Sequence, residues 1–219
     1  MKSKRLLCLT LSVLVLLFCA SCSRRGEPPQ PNQATLAQSR AHFSVFQKEV
    51  VRIMDDSSVD YTLTVTSSDD MPGAQPDTYC VALRFELKTP AKETFTVTLL
   101  NDSGVESFLA VLKAERASVE DCDFKMRHYP FLLDVFNLLS DTSTSKFECN
   151  RLMRSARRGA GKLYEQQGEA FYTFKFDYLF KGGEDRYLEY EIQYSDARQP
   201  GFFVETFTFA GVAAARPGA

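Results

Sequence analysis

Six segments of this chain alternate apolar and polar residues one by one. That period of two suits a β-strand with one face buried and one face wet. Val59, Tyr61, Leu63 and Val65 alternate with Asp60, Thr62, Thr64 and Thr66. Val81, Leu83, Phe85 and Leu87 alternate with Arg84, Glu86 and Lys88, and Phe95, Val97 and Leu99 with Thr94, Thr96 and Thr98. Near the C-terminus Tyr172, Phe174, Phe176, Tyr178 and Phe180 alternate with Thr173, Lys175 and Asp177. Leu188, Tyr190, Ile192 and Tyr194 follow in the same manner, and Phe203, Phe207 and Phe209 share one face of a last strand. Thr89 to Lys92, Gly182-Gly183 and Pro200-Gly201 supply turns between these runs. One-sided strands joined by short turns predict an antiparallel sheet.

A different period separates the strands. Leu36, Phe43, Phe46, Val50, Ile53 and Met54 recur at steps of three, four and seven, which predicts a helix over 35–55. Ser103 with Glu106 has the spacing of a capping box, and Val105, Phe108, Leu109 and Leu112 then predict a short helix. Residues 117–129 fit neither period. Pro130 suits a first helical position, with Phe131, Leu132, Val135, Phe136 and Leu139 behind it. Ser145 with Glu148 opens a further helix that Gly159 and Gly161 should end near 158.

The expected fold is α+β, with antiparallel sheet covered by helices over residues 36–211 and a small-residue tail at 212–219. Its pattern reads as helix plus three strands (36–101), a helical middle (102–144), and helix plus three strands (145–211). Tyr61-Thr62 and Tyr172-Thr173, Tyr79 and Tyr187, and Thr94 to Val97 and Thr206 to Phe209 recur at a nearly constant offset. A tandem duplication explains this offset, and so does the abundance of Thr and aromatic residues in any strand; both readings stand at this point.

The N-terminus carries an address. Lys2, Lys4 and Arg5 precede a charge-free run from Leu6 to Ser21, which is shorter than the roughly 20 residues a spanning helix needs. It fits the apolar region of a secretory signal peptide. Cys19-Ala20-Ser21-Cys22 then places two small residues before a cysteine, followed by Ser23, Arg24 and Arg25. This order resembles the bacterial lipoprotein class, although Cys19 stands where that class usually has Leu. The resemblance implies cleavage after residue 21 and a diacylglyceryl thioether on Cys22, which anchors the chain to the membrane of the cell envelope. Ser23 in place of Asp resembles an outer-membrane destination, with the leaflet open. Residues 22–35 hold three Pro, one Gly and no large apolar residue, which suits an extended tether.

Removing residues 1–21 leaves 23 basic against 28 acidic side chains, a net of −5, so a general nucleic-acid binder is not expected. Against that background residues 146–162 hold six basic residues and one acidic. Arg151, Arg154, Arg158 and Lys162 fall at helical steps with Arg157 beside them, a candidate contact for a membrane or an anionic ligand. A solvated helix face neutralised by acidic neighbours is the competing reading. The aromatic strand residues Tyr172, Phe174, Phe176, Tyr178, Tyr190, Tyr194, Phe203, Phe207 and Phe209 read as core, or as the lining of an apolar-ligand pocket if the helices cover them incompletely.

Catalytic signatures are lacking. There is no nucleophile elbow, P-loop or dinucleotide fingerprint. His42 and His128 are the only histidines, without metal-ligand spacing, and no metal or cofactor is implied. Of the cysteines in the body, Cys122 and Cys149 flank the helical middle and are the candidate disulfide in an oxidising compartment, with Cys80 left over; three free thiols are the alternative. The reading is a lipid-anchored, non-catalytic binding or interaction module with an unknown protein or lipid partner. A carrier or sensor of lipid stands second and an unrecognised hydrolase third.

Overall fold

The computed structural model describes residues 34–70, 77–89, 92–118, 121–122, 124–125, 127–167, 173–179, 186–194 and 203–213. The signal segment, Cys22 and most of the tether lie outside the described residues, as do the turns at 71–76, 182–183 and 200–201 and the tail from 214.

Helix α1 (Leu36–Asp56) starts on a complete capping box: the Thr35 hydroxyl accepts from the Gln38 N–H, and the Gln38 side chain accepts from the Thr35 N–H. Strands β1 (Tyr61–Ser67), β2 (Thr78–Lys88), β3 (Lys92–Asp102) and β4 (Val105–Arg116) follow, then helices α2 (Phe131–Ser140) and α3 (Lys146–Gln167). Strands β5 (Thr173–Leu179), β6 (Arg186–Tyr194) and β7 (Phe203–Val212) close the chain.

All seven strands form one antiparallel sheet in the order β1-β2-β3-β4-β7-β6-β5. Two meanders meet where β4 pairs with β7. The register aligns residues into rows that cross the sheet, one of which runs Leu63, Phe85, Phe95, Leu112, Phe207, Tyr190 and Phe176 across all seven strands. Phe85, Phe95, Leu112, Phe207 and Tyr190 are completely buried. Helix α1 packs on β2, β3 and α2; α2 packs on β7; α3 packs on β5 and β6. The fold is α+β, and Thr62, Thr64, Thr66, Arg84 and Glu86 face solvent on the side away from the core.

Two expectations are corrected. Residues 105–112 are strand, not helix. Val105, Phe108, Leu109 and Leu112 satisfy a helical period, but Glu106, Phe108, Ala110, Leu112 and Ala114 satisfy a period of two and are all buried. Ser103 and Gly104, both at positive φ, form the two-residue hairpin turn between β3 and β4 rather than a helix cap. The sequence pattern thus becomes helix plus four strands, a connecting helix, and helix plus three strands. Helix α3 also continues past Gly159 and Gly161 to Gln167, because Leu152, Met153, Ala156 and Ala160 hold it on the core.

Candidate anion-binding cleft

Helix α3 buries Cys149, Leu152, Met153, Ala156 and Ala160 along one side. At 3.6 residues per turn the opposite side must carry Phe147, Arg151, Arg154, Arg158 and Lys162, and all five are exposed. Arg157 falls on the flank between the two. Among the described residues none of Arg151, Arg154, Arg157, Arg158 and Lys162 forms an ion pair.

The flank faces the segment after β4. That segment is fixed by a buried polar network at one end of the sheet. The register brings Glu93 of β3 and Glu205 of β7 to either side of Ala114, all on the inward face. Arg116 reaches both carboxylates, Nη1 to Glu93 Oε1 and Nε to Glu205 Oε2, each at 3.1 Å. Tyr129 Oη donates to Glu93 Oε1 at 2.6 Å, and Tyr190 Oη donates to Glu205 Oε1 at 2.7 Å. The Phe124 N–H donates to the same Glu205 oxygen at 3.4 Å. The Phe124 ring packs on Phe207 and Tyr129 and lies beneath the Arg116 guanidinium. Phe124 is thus held by one backbone hydrogen bond and three side-chain neighbours.

Charge in this network follows burial. Desolvation holds the Glu205 carboxyl above the usual glutamate range, although Tyr190 and Arg116 pull it back. Burial alone would lower the Arg116 pKa, and its contacts with Tyr129 and Glu205 more than reverse that, so the guanidinium stays charged. Burial raises the Tyr190 hydroxyl far out of range, with Glu205 adding to it, and Tyr190 remains a neutral donor.

Arg157 bridges helix and segment, its Nε donating to the Cys122 carbonyl. Between them lies a cleft of about 560 Å³, lined by Phe124, Lys125, Arg127, Asn150, Met153, Arg154, Arg157 and Arg158. Arg127 Nε donates to His128 Nε2 at 3.1 Å. Among the described residues, five cations and no carboxylate line this cleft. Two other clefts are mixed in sign: one has Glu49, Asp56 and Asp134 around Arg52, the other alternates Arg84, Glu86, Lys92, Glu93, Lys113 and Glu115. Of the three, the cleft beside α3 has the chemistry to hold an anion, by charge-assisted hydrogen bonds from planar guanidinium groups.

The structure divides the five basic residues read from the sequence. Arg154, Arg157 and Arg158 line the cleft; Arg151 and Lys162 remain on the outer side of the helix. Lys125 and Arg127 were missed, because they sit in the stretch without periodicity. The short run Lys125-Met126-Arg127-His128 was the available signal. Glu93 and Glu205 had a clearer one, as charged residues at inward positions of alternating strands.

Cys80, Cys122 and Cys149 carry thiols rather than disulfides, so the structure does not contain the Cys122–Cys149 bridge expected from the sequence. Cys122 Sγ instead donates to the Ser118 carbonyl, and Cys149 sits on the buried side of α3. Burial, with Glu205 adding for Cys122 and Glu148 for Cys149, pushes both thiols up to about 12. Such thiols are inert at neutral pH.

Of the aromatic set, Tyr190, Phe203, Phe207 and Phe209 are buried against other side chains and belong to the core. The side chains of Tyr172, Phe174, Phe176, Tyr178 and Tyr194 lie outside the described residues. His42 is also structural in its surroundings. Glu106 stands between it and Ser39, with Oε2 at 2.6 Å from His42 Nδ1 and Oε1 accepting from the Ser39 hydroxyl at 2.5 Å. A nucleophile needs the imidazole beside its hydroxyl, and here the carboxylate takes that place in a buried cluster. Asn101 donates from this cluster to Ser39 and to the Ala34 carbonyl, tying down the first residues of the body.

No family model, curated protein or solved structure matches the chain. What the fold and the cleft define is a class: a single-sheet α+β body carrying, among the described residues, a wholly cationic cleft.

Proposed function

We propose that this protein is a lipid-anchored, non-catalytic binding module of the bacterial cell envelope, and that it holds an anionic group in the cleft between α3 and residues 124–127. One observation carries the reading: among the described residues, five cations and no acidic side chain line a single cleft of a protein whose mature net charge is −5. The anchor rests on the lipobox-like sequence around Cys22 and on the basic n-region before it.

The binding test is calorimetric titration of inorganic pyrophosphate into the mature protein. Saturable one-to-one binding is expected, weakening as salt rises. A hydrogen bond to a charged group contributes about 1.5–3 kcal/mol, so Arg154→Gln and Arg158→Gln should each weaken binding about tenfold or more. Arg151→Gln and Lys162→Gln lie outside the lining and should leave it near the wild-type value. Absence of binding, or equal loss from all four substitutions, contradicts the assignment. For the anchor, Cys22→Ala should move the protein out of the membrane fraction, and retention there contradicts it.

A further inference from the structure

The outer stripe of α3 extends beyond the cleft, with which it shares Arg154 and Arg158, and has its own chemistry. Phe147 is 78% exposed, the most exposed large apolar side chain among the described residues. It shares the solvent side of the helix with Arg151, Arg154, Arg158 and Lys162, all exposed and none ion-paired among the described residues. Glu165 ends the stripe. An aromatic ring beside four cations on one side of a helix matches the boundary of an anionic bilayer, where the ring enters the headgroup layer and the cations meet phosphate.

We infer that the outer stripe of α3 docks on the anionic lipid surface to which the protein is tethered. This rests on the anchor proposed above. Two observations commit the surface to lipid. The first is charge complementarity: the stripe is cationic on a protein that is otherwise acidic, and without a counter-attraction the body is repelled by an anionic membrane. The second is the tether: eleven residues separate Cys22 from the first described residue, Ala34, and the twelve steps between them, at about 3.3 Å each, span up to about 40 Å. That length allows the body to turn α3 onto the membrane. In the docked state Arg154 and Arg158, which belong to both stripe and cleft, bring the cleft mouth to the headgroup layer.

The chain contains no Trp, so Phe147→Trp is a single-tryptophan reporter at an exposed position that tolerates it. The experiment uses the mature, lipidated Phe147→Trp protein in vesicles of phosphatidylcholine alone or mixed with phosphatidylglycerol, with brominated lipid as quencher. Thr64→Trp, exposed on the opposite side of the sheet, is the control. Expected results are a blue shift and quenching of the reporter indole in the anionic vesicles only, both lost at about 1 M salt, where the Debye length falls to about 3 Å. The control indole should stay unquenched. Arg151→Gln and Lys162→Gln, which do not line the cleft, should each lower the docked-to-undocked ratio about fivefold and leave pyrophosphate binding unchanged.

Flotation in the same samples separates the two claims. Phe147→Trp protein that floats with both vesicle types while its indole stays unquenched overturns docking and leaves the anchor standing. Protein that floats only with anionic vesicles, with the reporter quenched, supports docking and overturns the anchor. No flotation and no quenching in anionic vesicles overturns both.

Discussion

Glu205→Ala tests whether the buried network at the end of the sheet builds the cleft. The Glu205 side chain is fully buried and accepts from three donors: Arg116 Nε, Tyr190 Oη and the Phe124 N–H. Truncation leaves the Tyr190 hydroxyl and the Phe124 N–H without that acceptor, and leaves Arg116 with Glu93 as its one carboxylate among the described residues. Each orphaned buried donor costs about 1–3 kcal/mol, and breaking a buried ion pair from one side about 3–5 kcal/mol in total. These costs overlap, so a loss of about 3–5 kcal/mol is expected, or roughly 10 °C in melting temperature for a body of this size. The assay is urea unfolding of Glu205→Ala, Arg116→Ala and the double variant. Because the two residues share one network, the second substitution should cost clearly less than it does alone. Pyrophosphate binding should weaken in Glu205→Ala, since Phe124 loses a point of attachment. A loss under about 1 kcal/mol, or strict additivity, refutes the reasoning. The pH dependence has a definite sign. A carboxyl held above its unfolded pKa binds its proton more tightly in the folded state. Its contribution is fully present below the ordinary glutamate value and is lost as pH rises through the raised one. Across that window wild-type stability should therefore fall relative to Glu205→Gln, which does not titrate.

Other consequences are simpler to read. Gly161→Ala should raise stability by about 1 kcal/mol, because a Cβ there meets no atom within 4 Å and alanine favours the helix; a loss in urea unfolding contradicts the continuous helix. Thr35→Ala should lower stability by about 1 kcal/mol through loss of the α1 capping box, measured the same way. Under native conditions near neutral pH, Cys122 and Cys149 should resist a thiol reagent and react once unfolded. Intact mass after alkylation in denaturant should show both alkylated, and a bridged pair contradicts the thiol assignment.

The strands were legible where alternation was long and unambiguous, as in β2, β3 and β6. Strand β4 was not, because its apolar residues fit two periods at once and its Ser103-Gly104 turn imitates a helix cap. Both readings satisfy local chemistry; pairing with β3 and β7 decides between them, and pairing is non-local. The same distinction divides the site. Arg154, Arg157 and Arg158 could be read from their spacing on one helix, whereas Lys125 and Arg127 reach the cleft from a segment without any period. The packing of Phe124 over Phe207, with its N–H on Glu205, brings them there. The exposure of Phe147 was likewise invisible, since an aromatic residue near the start of an amphipathic helix ordinarily faces inward.

The central claim is that the cleft binds an anion, and mapping where the anion sits tests it most directly. In a heteronuclear NMR titration of the mature protein with pyrophosphate, the Nε–H signals of Arg127, Arg154, Arg157 and Arg158 and the backbone amides of residues 124–128 should shift together, with one common saturation curve. Shifts confined to Arg84, Lys92 and Lys113 on the far side of the sheet, or no saturable shift anywhere, would contradict it.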